Sequence, residues 1–214
     1  MTKARCEKLR AAICAGAQSL HDAGLAPGKS GNVSARLDDG LLITPSGLSY
    51  PTMRPEDIVE IDGDGGGQHR PSTELPLHRA IYAARPEAQA IVHTHSPHAT
   101  ALSCARRGLP AFHYMIAVAG GCDVRCADYA TFGSAQLATH TLHALEDRKA
   151  ALLANHGVVS LGEDIEEALG IATEIENLAR QYLLLLAARI EPVMLDPAEM
   201  QRVCAQFANY GRRR

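Results

Sequence analysis

Side chains two residues apart on an extended chain project from one face. The segment Ala90-Ile-Val-His-Thr-His-Ser-Pro-His98 carries such a pair, His93 and His95, inside an apolar run that Pro97 breaks. An isolated histidine is more often a core or surface residue satisfied by hydrogen bonds. Two imidazoles on one face of an apolar strand form half of a divalent-metal site. His98 lies past the break, where a new helix begins, and does not share that face by spacing alone. His156 interrupts two further apolar runs, 150–154 and 158–161, within Asn155-His-Gly157. That break puts it at a strand edge, where it either converges on the first two as a third ligand or finds hydrogen-bond partners of its own.

Hydroxyls and a carboxylate gather at Pro71-Ser-Thr-Glu-Leu-Pro76, which opens a helix predicted to run to about residue 84. Ser72 or Thr73 would cap it and Glu74 would stand in its first turn, so free N–H groups could hold a phosphate with a carboxylate beside it. Capping alone accounts for Ser72 and Thr73, and leaves Glu74 as a partner of the helix dipole. Pro45-Ser-Gly47, after the apolar strand 40–44, reads either as a plain turn or as a turn aiming N–H groups and a hydroxyl at an anion. Gly28-Lys-Ser30 superficially resembles a nucleotide-binding loop. Only three residues separate Gly24 from Gly28 instead of four, and a helix leads in where a strand should, so that reading is set aside. Tyr114 is a core or interface aromatic, or a proton donor.

The surrounding pattern supplies the elements that must position these groups. Apolar residues every three or four positions predict a helix over 3–21, and 57–61 alternates as a strand followed by a glycine-rich hairpin at 62–67. A helix is predicted over 97–107, a strand and tight turn over 109–121, and a helix over 134–145. The last long helix, 165–188, starts at a capping-box-like Asp164 and Glu167 and carries a wide apolar stripe. Neither a repeat nor a linker interrupts residues 1–214, so strands and helices are assigned to one α/β domain.

A chain of 214 residues, 46% of them hydrophobic, can bury a full core, and its net charge of -3 offers no general pull on nucleic acid or an anionic membrane. No stretch approaches the roughly 18 apolar residues of a membrane span, and the charged start lacks a secretory signal. A soluble, cytoplasmic protein is expected. The six scattered cysteines are expected to be reduced, and Cys122 and Cys126 lack a second pair at zinc-finger spacing.

Seven segments in order, Gly31-Asn-Val-Ser34, Ile43-Thr-Pro-Ser-Gly47, Pro71-Ser-Thr-Glu74, Val92-His-Thr-His95, His113-Tyr-Met-Ile-Ala117, Tyr129-Ala-Thr-Phe-Gly133 and His156-Gly157, resemble the class II aldolase/adducin family along nearly the whole chain. The resemblance lies nearest to its fuculose-phosphate aldolases. It implies a central, largely antiparallel sheet flanked by helices, and a homotetramer with sites between subunits. It also implies zinc, or another divalent metal such as manganese or cobalt, bound by Glu74, His93, His95 and His156. Phosphate would be held by Asn32, Ser46, Gly47, Ser72 and Thr73, with a serine and a threonine exchanged at Ser46 and Thr73. Glu74 and Tyr114, the latter from a neighbouring subunit, would be catalytic, and Phe132, Phe207 and Tyr210 would surround the aldehyde end. The implied reaction is reversible aldol cleavage of a small ketose 1-phosphate, of the L-fuculose or 5-deoxy- or 5-methylthio-ribulose type, to dihydroxyacetone phosphate and a short aldehyde. None of the four lysines sits in an obviously desolvating strand, which disfavours Schiff-base chemistry. Epimerisation or decarboxylation of a phosphosugar and a non-catalytic, adducin-like domain are the alternatives.

Overall fold

The strand that carries His93 lies at the centre of a sheet and ends one residue before His95. In the computed structural model, which describes residues 3–38, 40–61 and 69–207, the strands are β1 (Asn32–Leu37), β2 (Gly40–Ile43), β3 (Val59–Ile61), β4 (Ala90–Thr94), β5 (Cys126–Ala127), β6 (Ala150–Leu153) and β7 (Gly157–Gly162). They form one sheet in the order β3-β2-β1-β4-β7-β6-β5. Only β5 and β6 are parallel; every other neighbouring pair is antiparallel. The helices are α1 (Lys3–Asp22), α2 (Leu75–Ala84), α3 (Pro97–Cys104), α4 (Ala135–Ala144), α5 (Ile165–Ala187) and α6 (Pro197–Phe207).

Alternation along the strands divides two layers of helices. Val33, Ala35 and Leu37 of β1 and Ala90 and Val92 of β4 pack against α1 and the start of α5. Ile91 of β4 and Val159 and Leu161 of β7 pack on the opposite face against Leu77 and Ile81 of α2 and Leu137 of α4. His93 is in phase with Ile91, so it points into the α2 layer. Every residue of β4 is fully buried, and each of its aliphatic side chains contributes roughly 1.5–3 kcal/mol relative to exposure. That apolar anchoring holds His93 in place.

Some elements differ from their sequence pattern. The strand expected over 57–61 begins at Val59, because Pro55–Asp57 forms a 3-10 turn in which the Asp57 carboxylate accepts from the Arg54 N–H at 2.8 Å. The hairpin expected at 62–67 lies outside the described residues. Over 109–121 a strand gives way to a 3-10 helix, Tyr114–Ala119, with Leu109 alone bridging to Val124. Pro110 has no N–H for a ladder, its carbonyl accepts from Phe112 at 2.8 Å, and Nδ1 of His113 accepts from Met115 at 3.2 Å. Helix α3 stops at Cys104, three residues early, as Arg106 adopts φ 51°. Three elements, β1, β5 and α6, have no counterpart among the elements expected from sequence, although Asp196 caps α6 by accepting from Glu199 N at 2.8 Å and Pro197 opens it. Among the described residues no helix is long and apolar enough to cross a membrane. All six cysteines are free.

Candidate functional site

Strand register brings the first groups together. Asn32 of β1 lies directly across from His93 of β4, which on its other side faces Val159 of β7. Directly opposed residues share a face, so Asn32 and His93 both look toward the N-terminus of α2. Glu74 occupies the N-cap position there, and Ser72 Oγ accepts from its N–H at 3.3 Å. The cap expected at Ser72 or Thr73 is therefore displaced to Glu74, whose own side chain makes no capping bond and is free to turn to the histidines. His156 arrives from the turn between β6 and β7, where Asn155 is left-handed at φ 55°. Gly157 closes this turn against β4 so tightly that a Cβ would collide with the Thr94 carbonyl.

The result is a four-residue cluster. Nε2 of His93 is 2.9 Å from Glu74 Oε2 and 3.0 Å from His95 Nε2, and His156 Nε2 is 3.2 Å from Glu74 Oε1. The ligand atoms of His93, His95 and His156 all lie within 4.8 Å of one another. Nδ1 of His93 is 2.9 Å from the Val158 carbonyl. A carbonyl only accepts, so that nitrogen carries the proton and a neutral His93 turns a bare Nε2 toward Glu74 and His95. Glu74 Oε1, although near His156, is a buried oxygen outside hydrogen-bonding geometry. Lone pairs thus converge from four side chains with too few protons between them, a donor set that fits a divalent cation.

Electrostatics agree. Burial, and then the charge of neighbouring histidines, pushes His95 and His156 down to about 4, leaving them neutral with lone pairs free at neutral pH. Burial pushes His93 down too, but contact with Glu74 outweighs it and raises the group. Burial alone would raise the Glu74 carboxyl, yet His93, His156 and the Asn32 amide together hold it well below the usual carboxylate range. His95 and His156 therefore offer bare ring nitrogens beside an ionised carboxylate.

A cavity of about 290 Å³ opens onto this cluster, lined by Glu74, His95 and His156 and also by Asn32, Ser46, Gly47, Ser72 and Thr73. Hydroxyls and main-chain N–H groups of the second set suit an anion. Gly31, which leads into Asn32, has φ 81°, and a Cβ there would stand 2.7 Å from the His93 carbonyl, so the loop approaches β4 only with glycine.

The family described as Class II Aldolase and Adducin N-terminal domain matches residues 11–183. The chain belongs to the class II aldolase/adducin family. A 5-methylthioribulose-1-phosphate/5-deoxyribulose-1-phosphate aldolase of Rhodospirillum rubrum is 48% identical over 205 residues, covering 95% of this chain and 92% of the relative. The L-fuculose phosphate aldolase of Escherichia coli is 45% identical, covering 89% of each. Among solved structures, an L-fuculose 1-phosphate aldolase superposes with a TM-score of 0.89 at 37% identity, over 94% of this chain and 96% of that one.

Within this family framework, the remaining predicted residues fall into separate places. Phe132 lines the cavity and is 65% exposed. Tyr114 does not line it: half exposed, it stacks on His113 and has Phe207 at a centroid distance of 6.4 Å. Tyr210 lies outside the described residues. His98 turns away from the cluster, with Nδ1 2.6 Å from Glu176. Three residues given no role by sequence stand in or beneath the site: Lys29 and Tyr129 line the cavity, and His78 is fully buried under Asn32. Four-residue spacing from Glu74 on a helix is the sequence signal that marks His78.

Proposed function

We propose that the protein catalyses reversible aldol cleavage of a small ketose 1-phosphate to dihydroxyacetone phosphate and a short aldehyde, using zinc held by Glu74, His93, His95 and His156. The observation that carries this reading is the convergence of those four side chains, three of which line a cavity that is also lined by hydroxyls and main-chain N–H groups suited to an anion. A divalent metal bound there supplies Lewis-acid polarisation of the ketose carbonyl.

The chain's own residues supply the remainder. Asn32, Ser46, Gly47, Ser72 and Thr73 hold the phosphate and so fix the carbon skeleton over the cluster. In the condensation direction Glu74 removes the proton from C3 of dihydroxyacetone phosphate, the electron pair left at C3 bonds to the aldehyde carbon, and Tyr114 of a neighbouring subunit provides the proton taken by the aldehyde oxygen. Cleavage reverses each step. A carboxylate stabilised as strongly as Glu74 is a weak base. It gains basicity by leaving its histidine contacts, which substrate entry into the adjoining cavity would bring about. Phe132, with Phe207 and Tyr210 from the C-terminal segment, forms an apolar surround for the aldehyde. The assembly is a homotetramer with sites shared between subunits.

Substrate candidates follow from the relatives' names, L-fuculose 1-phosphate on one side and 5-deoxy- or 5-methylthio-ribulose 1-phosphate on the other. A coupled assay for dihydroxyacetone phosphate across these ketose phosphates, with the zinc-loaded protein and with His95→Ala, tests the reading. Turnover by the unsubstituted protein and its loss in the variant are expected. Release of carbon dioxide, an epimer as product, or equal turnover by both proteins would rule the reading out.

A further inference from the structure

Helix α2 and strand β1 meet through polar side chains in matching register. Four helical residues advance about 6 Å and two strand residues about 6.7 Å, so Glu74, His78 and Tyr82 come to lie along Asn32, Ser34 and Arg36. The contacts form one chain. Asn32 Nδ2 donates to Glu74 Oε2 at 3.2 Å, Asn32 Oδ1 meets His78 Nε2, His78 Nδ1 is 2.6 Å from Ser34 Oγ, and Ser34 Oγ is 2.9 Å from the Tyr82 hydroxyl. The Arg36 guanidinium covers the Tyr82 ring at 4.6 Å. Asn32, Ser34 and His78 are 3%, 0% and 0% exposed, so water cannot substitute for a missing partner.

The charge of Glu74 sets the direction of every bond. A carboxylate only accepts, so the Asn32 atom facing it is the NH2 group and the amide oxygen faces His78. That oxygen also only accepts, so His78 Nε2 carries the ring proton. Nδ1 of a neutral ring is then bare and accepts from the Ser34 hydroxyl, whose oxygen is left to accept from Tyr82. Each donor points toward Glu74.

We propose that His78 is a positioning residue of the active site: as its Nε2–H tautomer it pins the Asn32 amide so that the NH2 group stays turned to Glu74 and the cavity. A reversed amide would set its oxygen against Glu74 Oε2, and His78 removes that alternative. The Asn32 NH2 has two hydrogens, one engaged by Glu74 and one available to the cavity that Asn32 lines. One amide thus links the carboxylate to an anion in the cavity, and a ligand that draws the amide loosens Glu74. The kinetic consequence rests on the proposed aldolase reaction; the tautomer does not.

Imidazole 15N correlation spectra of the intact protein at neutral pH, with the His78 signals identified by their loss in His78→Gln, read the tautomer directly. A proton on Nε2 and a hydrogen-bonded, bare Nδ1 are expected. A ring protonated on Nδ1, or on both nitrogens, overturns the proposal whatever reaction the protein catalyses. In the zinc-loaded enzyme, His78→Leu is expected to lower kcat/KM by about 10–100-fold at unchanged metal content, the usual effect of losing a partner behind a ligand. His78→Gln, whose side-chain N–H can still donate to Asn32, should retain most of the activity. Full activity of His78→Leu, or a glutamine as damaging as leucine, removes the positioning role. Should His78→Leu fail to fold, the tautomer in the unsubstituted protein decides alone.

Discussion

Glu74 divides its two oxygens between different neighbours, Oε2 with Asn32 and His93 and Oε1 with His156. Glu74→Gln keeps the shape and removes both the negative charge and the base, so kcat should fall by about 10²–10⁴-fold, measured as dihydroxyacetone phosphate release at saturating ketose. Retained kcat would show that another group moves the C3 proton. The histidines make a second prediction, for the metal-free protein. His78, held down to about 3 by burial, and His95 and His156, held down to about 4, all have an ordinary value of 6.5. Between those values the unfolded chain binds more protons than the folded one, so stability is full above about 6.5 and declines as pH falls toward 4. Glu74, depressed in the fold, adds to the loss at still lower pH, while the contribution of His93, raised, is fully present below about 6.5 and is lost only as pH rises above it. Thermal unfolding with a chelator present should therefore give a lower midpoint at pH 5 than at pH 7, and an equal or higher one would contradict the burial of neutral imidazoles. His93 and His95 were legible in the sequence because a period of two is the shortest pattern a strand can show. His78 carried only its four-residue spacing from Glu74 as a signal, and its contacts with Asn32 and Ser34 exist only once α2 is laid along β1.

Elements cap one another in this fold. Glu176 projects from α5 to the start of α3, where its carboxylate accepts from the N–H groups of His98 at 2.9 Å and Ala99 at 2.8 Å. Ser96, the N-cap residue of α3, makes no capping bond of its own. A remote carboxylate thus does the work of a local cap, and because α3 follows directly on His95 it also fixes the end of β4. Glu176→Ala should cost about 2 kcal/mol, read from the denaturant midpoint, and should weaken zinc retention with it; an unchanged midpoint would show that other contacts hold α3. The sequence could not disclose this pairing, because Glu176 and His98 are far apart along the chain. Helices such as Ile165–Ala187 were readable from their 3.6-residue stripe and the Asp164 cap. The run 109–121 was not, because its buried residues, Leu109, Ile116, Ala117 and Ala119, follow no strand alternation, and Pro110 and Gly120 decide its path. Helix α6 had legible signals in Asp196 and Pro197, but its weakly apolar composition hid them.

At the scale of the whole molecule the decisive fact is separation. Within one chain the cluster of Glu74 and three histidines opens to a cavity on which Tyr129 and Phe132 border, whereas Tyr114 stands half exposed beside Phe207 and lines no part of that cavity. The proposed reaction therefore has two candidate proton donors: Tyr129 of the same chain, or, in the proposed tetramer, Tyr114 of a neighbour. Head-to-tail interfaces in a closed ring place one subunit's patch against a different patch of the next, which is the geometry a shared site needs. The two arrangements separate cleanly in a mixing experiment. If Tyr114 acts across the interface, Tyr114→Phe and His95→Ala are each nearly inactive alone, for different reasons. Dissociated, mixed in equal amounts and reassembled at random, they should restore about a quarter of the sites, since a working site needs intact ligands from one subunit and an intact tyrosine from the next, each with a chance of about one half. Activity should rise after reassembly and not on mixing without dissociation. If Tyr129 serves in its own chain, Tyr114→Phe is active before any mixing, and if both groups must come from one chain, reassembly restores nothing.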